Sequence, residues 1–242
     1  MAKEKTAVTI RRTAGEVKRY RQYKRFVPIG IGILLLILII GYVLSVLYMR
    51  FGAFTVMVNK FDHLDYMLTL SDTQSFKSNT SNLNAEIFEK ITNIDGRSLP
   101  EYLDNIDGEH NGSNYIAYTF YAKNAGRSTF SYTYDLYVAN MTLDIEKAVR
   151  VRLYINGKYT DYAYPRTDGG EGAEPGTTAF MSRTTVVKDR IDDLAPGDIT
   201  KFTIVIWLEG NDPECVDKIL GGEMKLDMKL DVIREDQEDM AG

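Results

Sequence analysis

The stretch of this 242-residue chain richest in groups that could do chemistry is Trp207-Leu208-Glu209-Gly210-Asn211-Asp212-Pro213-Glu214-Cys215-Val216-Asp217. Glu209, Asn211, Asp212, Glu214 and Asp217 bring five oxygen-bearing side chains close together, and hard oxygen donors at that density suit Ca²⁺. Their spacing lacks the order of an EF-hand loop, so a structural reading stands beside the ionic one. Asp212 can cap a helix that begins at Pro213 and ends at Gly221-Gly222, leaving the other acids as a solvated rim. Cys215 then falls in the first turn of that helix, where the dipole could lower its thiol pKa. No histidine lies near it in sequence to act as a base.

Other chemistry is short of parts. His63 and His110 are the only histidines, and there is no HExxH, GxSxG, CxxC or Walker loop. Zinc proteolysis of the usual kind and most nucleotide chemistry are thereby excluded, so the chain reads as a non-enzyme with no catalytic residue. Its cofactor set is likewise none, apart from the Ca²⁺ alternative. Ten tyrosines lie between residues 115 and 164. They could stack on sugars, or pair across strands to stabilise a sheet.

What positions these residues starts with an anchor. Phe26–Met49 contains no charged side chain, and hydrocarbon accepts such a run only as a helix, because no water is there to satisfy its backbone. It is long enough to cross a core of about 30 Å with slight tilt. Nine Lys and Arg precede it against Glu4 and Glu16, which places the N-terminus in the cytoplasm and the rest outside. A cleaved signal peptide is the rival reading. The run is long for one, and the residues after it, Leu47-Tyr48-Met49-Arg50-Phe51, are bulky for a cleavage site. The expected organisation is a basic cytoplasmic arm (1–25), a transmembrane helix (26–49), an extracellular β-sandwich (51–233) and an acidic disordered tail (234–242). A Thr13-Ala14-Gly15-Glu16 capping box predicts that the helix starts at the arm.

Beyond residue 50 the chain holds 19 basic against 32 acidic residues, a net of −13. A domain this acidic is a poor match for nucleic acid. With one cysteine no internal disulfide can form, which fits a bacterial surface better than an animal secretory route.

Strand patterns dominate this part. Ala53–Val58 and Leu64–Leu70 open it as two β-like runs, and Leu83–Ile91 shows the spacing of one helix face. Ser98-Leu99-Pro100-Glu101 could start another short helix, so an insertion over residues 83–106 is expected at one end or edge. From Tyr115 apolar residues alternate: Ile116, Tyr118 and Phe120; Phe130, Tyr132, Tyr134, Leu136 and Val138; Val149, Val151, Leu153 and Ile155. Asn156-Gly157 is a hairpin signal, and 166–177 reads as a mobile loop. Thr178–Val187 and Ile199–Leu208 follow as strands, the second apolar on both faces and hence central. A last strand carries Met224, Leu226, Met228, Leu230 and Val232 inward. About nine strands in this pattern predict an antiparallel Ig-like or jelly-roll sandwich, mainly β, with a short helical insertion.

Three segments carry a family resemblance: Asn114–Phe120, Lys147–Arg152 and Trp207–Cys215. Through them the chain resembles membrane-anchored surface proteins of Gram-positive, clostridia-type bacteria. In architecture it is more distantly similar to the TasA/camelysin group of biofilm-fibre proteins. The resemblance implies a cell-surface structural or interaction module within an envelope-associated assembly; the span 26–49 makes the bilayer one partner, and a second copy or an envelope protein is the other expected. A Ca²⁺-dependent or glycan-binding module at the cell wall is the alternative, and an unrecognised hydrolase a third. The terminal strand, read as a sheet edge, is the expected surface for self-association.

Overall fold

The computed structural model describes residues 14–51, 54–58, 65–85, 92–167 and 172–233. The chain divides into two compact units, Met1–Arg50 and Phe51–Gly242. The first is a single helix, α1 (Ala14–Phe51). It is described from Ala14 on, and the expected N-cap Thr13 lies outside the described residues. Phe26–Val43 is long and apolar enough to cross a membrane, and 0% of that window is buried within the protein. Apolar and exposed along that window, such a helix must find its solvent in lipid or be removed. Pro28 sits inside it; bilayer helices tolerate the lost N–H bond where neighbouring polar groups re-satisfy the backbone.

The second unit is mainly β. Its strands are β1 (Phe54–Val58), β2 (Leu68–Ser71), β3 (Asn82–Ala85), β4 (Gly108–Glu109), β5 (Tyr115–Asn124), β6 (Phe130–Met141), β7 (Val149–Ile155), β8 (Lys158–Ala163), β9 (Thr178–Ala179), β10 (Thr185–Leu194), β11 (Ile199–Leu208) and β12 (Met224–Ile233). They form a five-stranded sheet in the order β10-β6-β12-β1-β3 and a seven-stranded sheet in the order β2-β5-β11-β7-β8-β9, with β4 also paired to β5. The inward sets of both sheets share one core, from Phe54, Tyr132, Leu136, Leu226, Met228 and Leu230 on one side to Phe120, Val151, Phe202 and Ile204 on the other. Phe202 ties the layers together: it stacks on Phe120 at 5.1 Å and meets Tyr134 edge-on at 5.7 Å. Burial pushes the phenols of Tyr118, Tyr132 and Tyr134 well above their ordinary pKa, so these tyrosines serve packing.

The alternation after Tyr115 and the central position of β11, between β5 and β7, match the sequence. So does the Asn156-Gly157 hairpin, whose φ values of 49° and 84° suit the primed turn that follows strand twist. Five expectations are corrected. The sheets are mixed, because β1 runs parallel to β12 and β8 parallel to β9. The terminal strand is no edge: β12 lies between β6 and β1, its backbone groups paired on both sides, so it offers no free template for a second copy. Asn82–Ala85 is a strand rather than the start of a helix, its pattern overridden by pairing with β1; residues 86–91 lie outside the described part. The helical turns fall at Gly96–Ser98 and Leu103–Asn105 instead of at Leu99-Pro100, since Asp95 caps the first. Thr178–Val187 breaks after Ala179 and resumes as β10 at Thr185, with a turn between.

Candidate functional site

The insertion lies over a face, not an end. Leu99 and Leu103 pack with Ala117, Tyr154, Val205 and Trp207 on the side of the seven-stranded sheet away from the main core. That second cluster explains why β11 is apolar on both faces. Ile94 fastens the segment to the end of β11, its N–H reaching Leu208 O at 2.9 Å while Gly210 N–H reaches Ile94 O at 3.0 Å. Glu209 is the hub: its Oε2 accepts from Trp207 Nε1 and from Gly96 N, each at 3.0 Å. Gly96 is required there, since a Cβ would come within 2.9 Å of the Trp207 ring. Asp95 accepts from Arg97 N at 2.9 Å, pairs with the Arg97 guanidinium and takes a hydrogen bond from Asn211 Nδ2 at 2.9 Å. Arg97 thereby holds the Asp95 carboxyl well below the usual range. Further along, Asp104 accepts from Thr203 Oγ1 at 2.8 Å and pairs with Lys201 at 3.1 Å.

Between this segment and the β7–β8 hairpin runs an open groove of about 1330 Å³. Arg152, projecting outward from β7, lies over the Tyr159 ring at 4.2 Å and over the Trp207 ring at 5.6 Å. Asp161, opposite it on β8, grips it with two bonds of 2.6 and 2.9 Å and is the first cause of its raised pKa. Tyr159 remains exposed.

At one end of the groove Arg150 is buried. It pairs with Asp212, donates to the carbonyls of Lys147 and Val149 at 3.2 Å each, and lies 4.0 Å from Glu174. Glu174, Asp212 and Glu214 bring carboxylate oxygens within 4.8 Å of one another. Burial, and then the neighbouring Glu214, push the Asp212 carboxyl up to about 6, against the opposing pull of Arg150.

The five acids and amides of the connector thus scatter. Asp212 and Glu214 come together and are joined by Glu174 from the 172–177 loop; Glu209 and Asn211 secure the insertion, and the exposed Asp217 opens a 3₁₀ turn. Three converging carboxylates are donors of the right kind for a divalent cation. The Arg150 guanidinium already pairs with Asp212 and approaches Glu174, and supplies one positive charge to the three. The expected two-turn helix is replaced by turns and a 3₁₀ segment, Asp217–Ile219. Asp212 still behaves as a cap would, accepting Glu214 N at 2.8 Å, but its other oxygen is drawn to Arg150. Cys215, without a helix dipole, is half-buried and accepts weakly from Asn93 Nδ2 at 3.5 Å. His110 Nδ1 lies 2.9 Å from Gly108 O, and His63 lies outside the described residues.

Arg150, Arg152, Glu174 and Asp95 were missed by the sequence reading. The signal for the arginines was present: two on the outward positions of a strand, beside Tyr154, indicate a face that is not simply solvated. A β-sandwich whose outer sheet face is walled by a short insertion and lined by pre-paired charges is the class that fold and site define. No family model and no curated protein matches the chain. Among solved structures, it is similar to a β-glucosidase from Kluyveromyces marxianus in complex with glucose at 12% identity and TM-score 0.29, covering 72% of this chain and 16% of that one. A GH31 α-xylosidase from Xanthomonas citri aligns at 14% identity and TM-score 0.22, covering 46% of this chain and 11% of that one. The chain therefore spans less than a fifth of either enzyme, and likenesses this loose carry no argument.

Proposed function

We propose that the protein is a single-pass, membrane-anchored interaction module of the bacterial cell surface that holds a partner in the groove between residues 92–106 and the β7–β8 hairpin. One observation carries this reading: the groove's arginines and carboxylates are held in fixed pairs along an open surface. Such pre-ordered polar groups lower the cost of binding. Its chemistry is recognition by hydrogen bonds, with Tyr159 as an exposed aromatic contact. The basic excess before the span supports an external location for the β unit, as does the resemblance to Gram-positive surface proteins.

A photo-crosslinking side chain at Tyr159 of the full-length protein, in its native membrane, should give a discrete adduct. The same group at Lys188, on the other sheet, should not. Equal labelling from both positions, or from neither, would remove the groove as the binding surface. Protease added to intact protoplasts should cleave the β unit and spare the N-terminal arm; protection of the β unit would reverse the orientation.

A further inference from the structure

We propose that one end of the sandwich is a lipid-contacting surface, in which Leu143, Met181, Val216 and Leu220 enter the interfacial layer of the bilayer that α1 crosses. The inference rests on the reading of α1 as a membrane span.

The sheet registers place the four together. β1 and β12 are parallel, with Phe54 level with Leu226. Antiparallel β6 ends beside the start of β12, Met141 opposite Met224. Val138 N–H reaches Thr184 O at 2.8 Å, so β10 begins at the same end. Leu143 follows β6, Met181 precedes β10, and Val216 and Leu220 lie in the connector that feeds β12. Thr142 N–H donates to Glu223 O at 2.9 Å, which joins the Leu143 turn to that connector.

These side chains are exposed by 52% (Leu143), 64% (Met181), 51% (Val216) and 73% (Leu220). Backbone geometry holds Leu143 and Leu220 out, while Met181 Sδ accepts from Lys188 N at 3.1 Å. Leu143 has φ 57°, in the left-handed region that a leucine adopts at a cost, and Gly221 at φ 79° turns the chain directly after Leu220. Strain spent on displaying an aliphatic side chain asks for an apolar environment outside the fold.

Connectivity says what that environment is. Gly52 and Ala53 alone separate the end of α1 from the start of β1. Three residue steps reach at most about 11 Å, comparable to the ~5–8 Å headgroup layer on each side of the hydrocarbon. Chain connectivity therefore keeps the start of β1 within that reach of the last residue of α1. A second copy fits less well, because the acidic excess of this unit repels its like. The neighbouring Lys147 and Arg183 are paired with Asp144 and Glu146, so the contact is apolar rather than electrostatic.

Power-saturation measurements on spin labels test this in the full chain, carrying Cys215→Ala and reconstituted in phosphatidylcholine vesicles. Single cysteines replace Leu220, Leu143, Ile37 in the span, or Met67, which lies at the opposite end beside the β5–β6 turn. The oxygen-to-nickel accessibility ratio at 220 and 143 should rise several-fold above that at 67, towards the value at 37. Labels at 220 and 143 as open to nickel as at 67, with 37 in lipid, overturn the proposal and leave the anchor standing. Exclusion of both reagents at 220 and 143 means protein contact and also overturns it. A nickel-accessible label at 37 brings down the span, and this inference with it.

Discussion

The outer faces of the two sheets are built from similar residues and do opposite things. On the five-stranded sheet, Asp135 of β6 stands between Lys188 of β10 and Lys229 of β12, and Lys229 also pairs with Asp231 at 2.7 Å. That is a ladder of cross-strand charges, exposed at Lys188, part-buried at Asp135 and Lys229, and buried at the neighbouring Asp227. On the seven-stranded sheet the same alternation puts Arg150, Arg152 and Tyr154 outward, yet Arg150 and Tyr154 are buried. The difference comes from residues 92–106 and the 172–177 loop, which lie over the outer face of the seven-stranded sheet. A charge in water costs little to leave unpaired; a charge under a cover must be matched atom by atom. The lesson is that alternation reports which way a side chain points, and not what it meets there.

The sharpest way to break this comparison is to remove a cation from the covered face. Arg150→Met should destabilise the protein by about 3–5 kcal/mol in urea unfolding, because Asp212 and Glu174 lose their shared counter-charge in a buried site. A loss within error would mean that water reaches these carboxylates and that the face is not covered. Next in size is the cover itself. Leu103→Ala, at a side chain with 0% exposure, should cost about 2–5 kcal/mol if the second cluster packs as a true core. Amide exchange should then quicken across residues 94–106 before it does in β12.

Acidity sharpens the contrast from another side. The Asp212 carboxyl has a folded pKa of about 6 against an ordinary 3.8, so the folded state holds this proton more tightly than the unfolded one. Its contribution to stability should therefore grow as pH falls through about 6 and be complete below 3.8. Unfolding midpoints at pH 7, 6, 5 and 4 for the parent and for Asp212→Asn, taken as a difference, isolate it; parallel curves would show the group to be unshifted. The smallest effect belongs to the five-stranded sheet. Lys229→Ala, which removes a half-exposed partner of Asp231, should change stability by no more than about 1 kcal/mol and less still in salt.

Much of the scaffold was legible. The uncharged run from Phe26 predicted its helix because a bilayer leaves the backbone no other choice. Tyr132, Tyr134 and Leu136 predicted an inward face because period two is a property of the strand itself. Local interactions also explain Asn156-Gly157, where two positive φ angles are needed within two residues. The candidate site was half legible: the acidic connector stood out, but as a capped helix or an ion site rather than as the fastening of an insertion.

What the sequence by itself determined, then, is whatever depends on near neighbours: the apolar span, the strand periods, the tight hairpin. Only the tertiary structure decided that the last strand is central, because its pairing with β1 joins residues about 170 positions apart. Only it decided that Asp212 meets Arg150 rather than water, through a contact 62 residues long in sequence, and that Glu174 arrives from a loop to join them. Periodicity within one segment carries no information about the segment laid across it. Burial, and with it the pKa of Asp212 and the cost of losing Arg150, is set by that second segment.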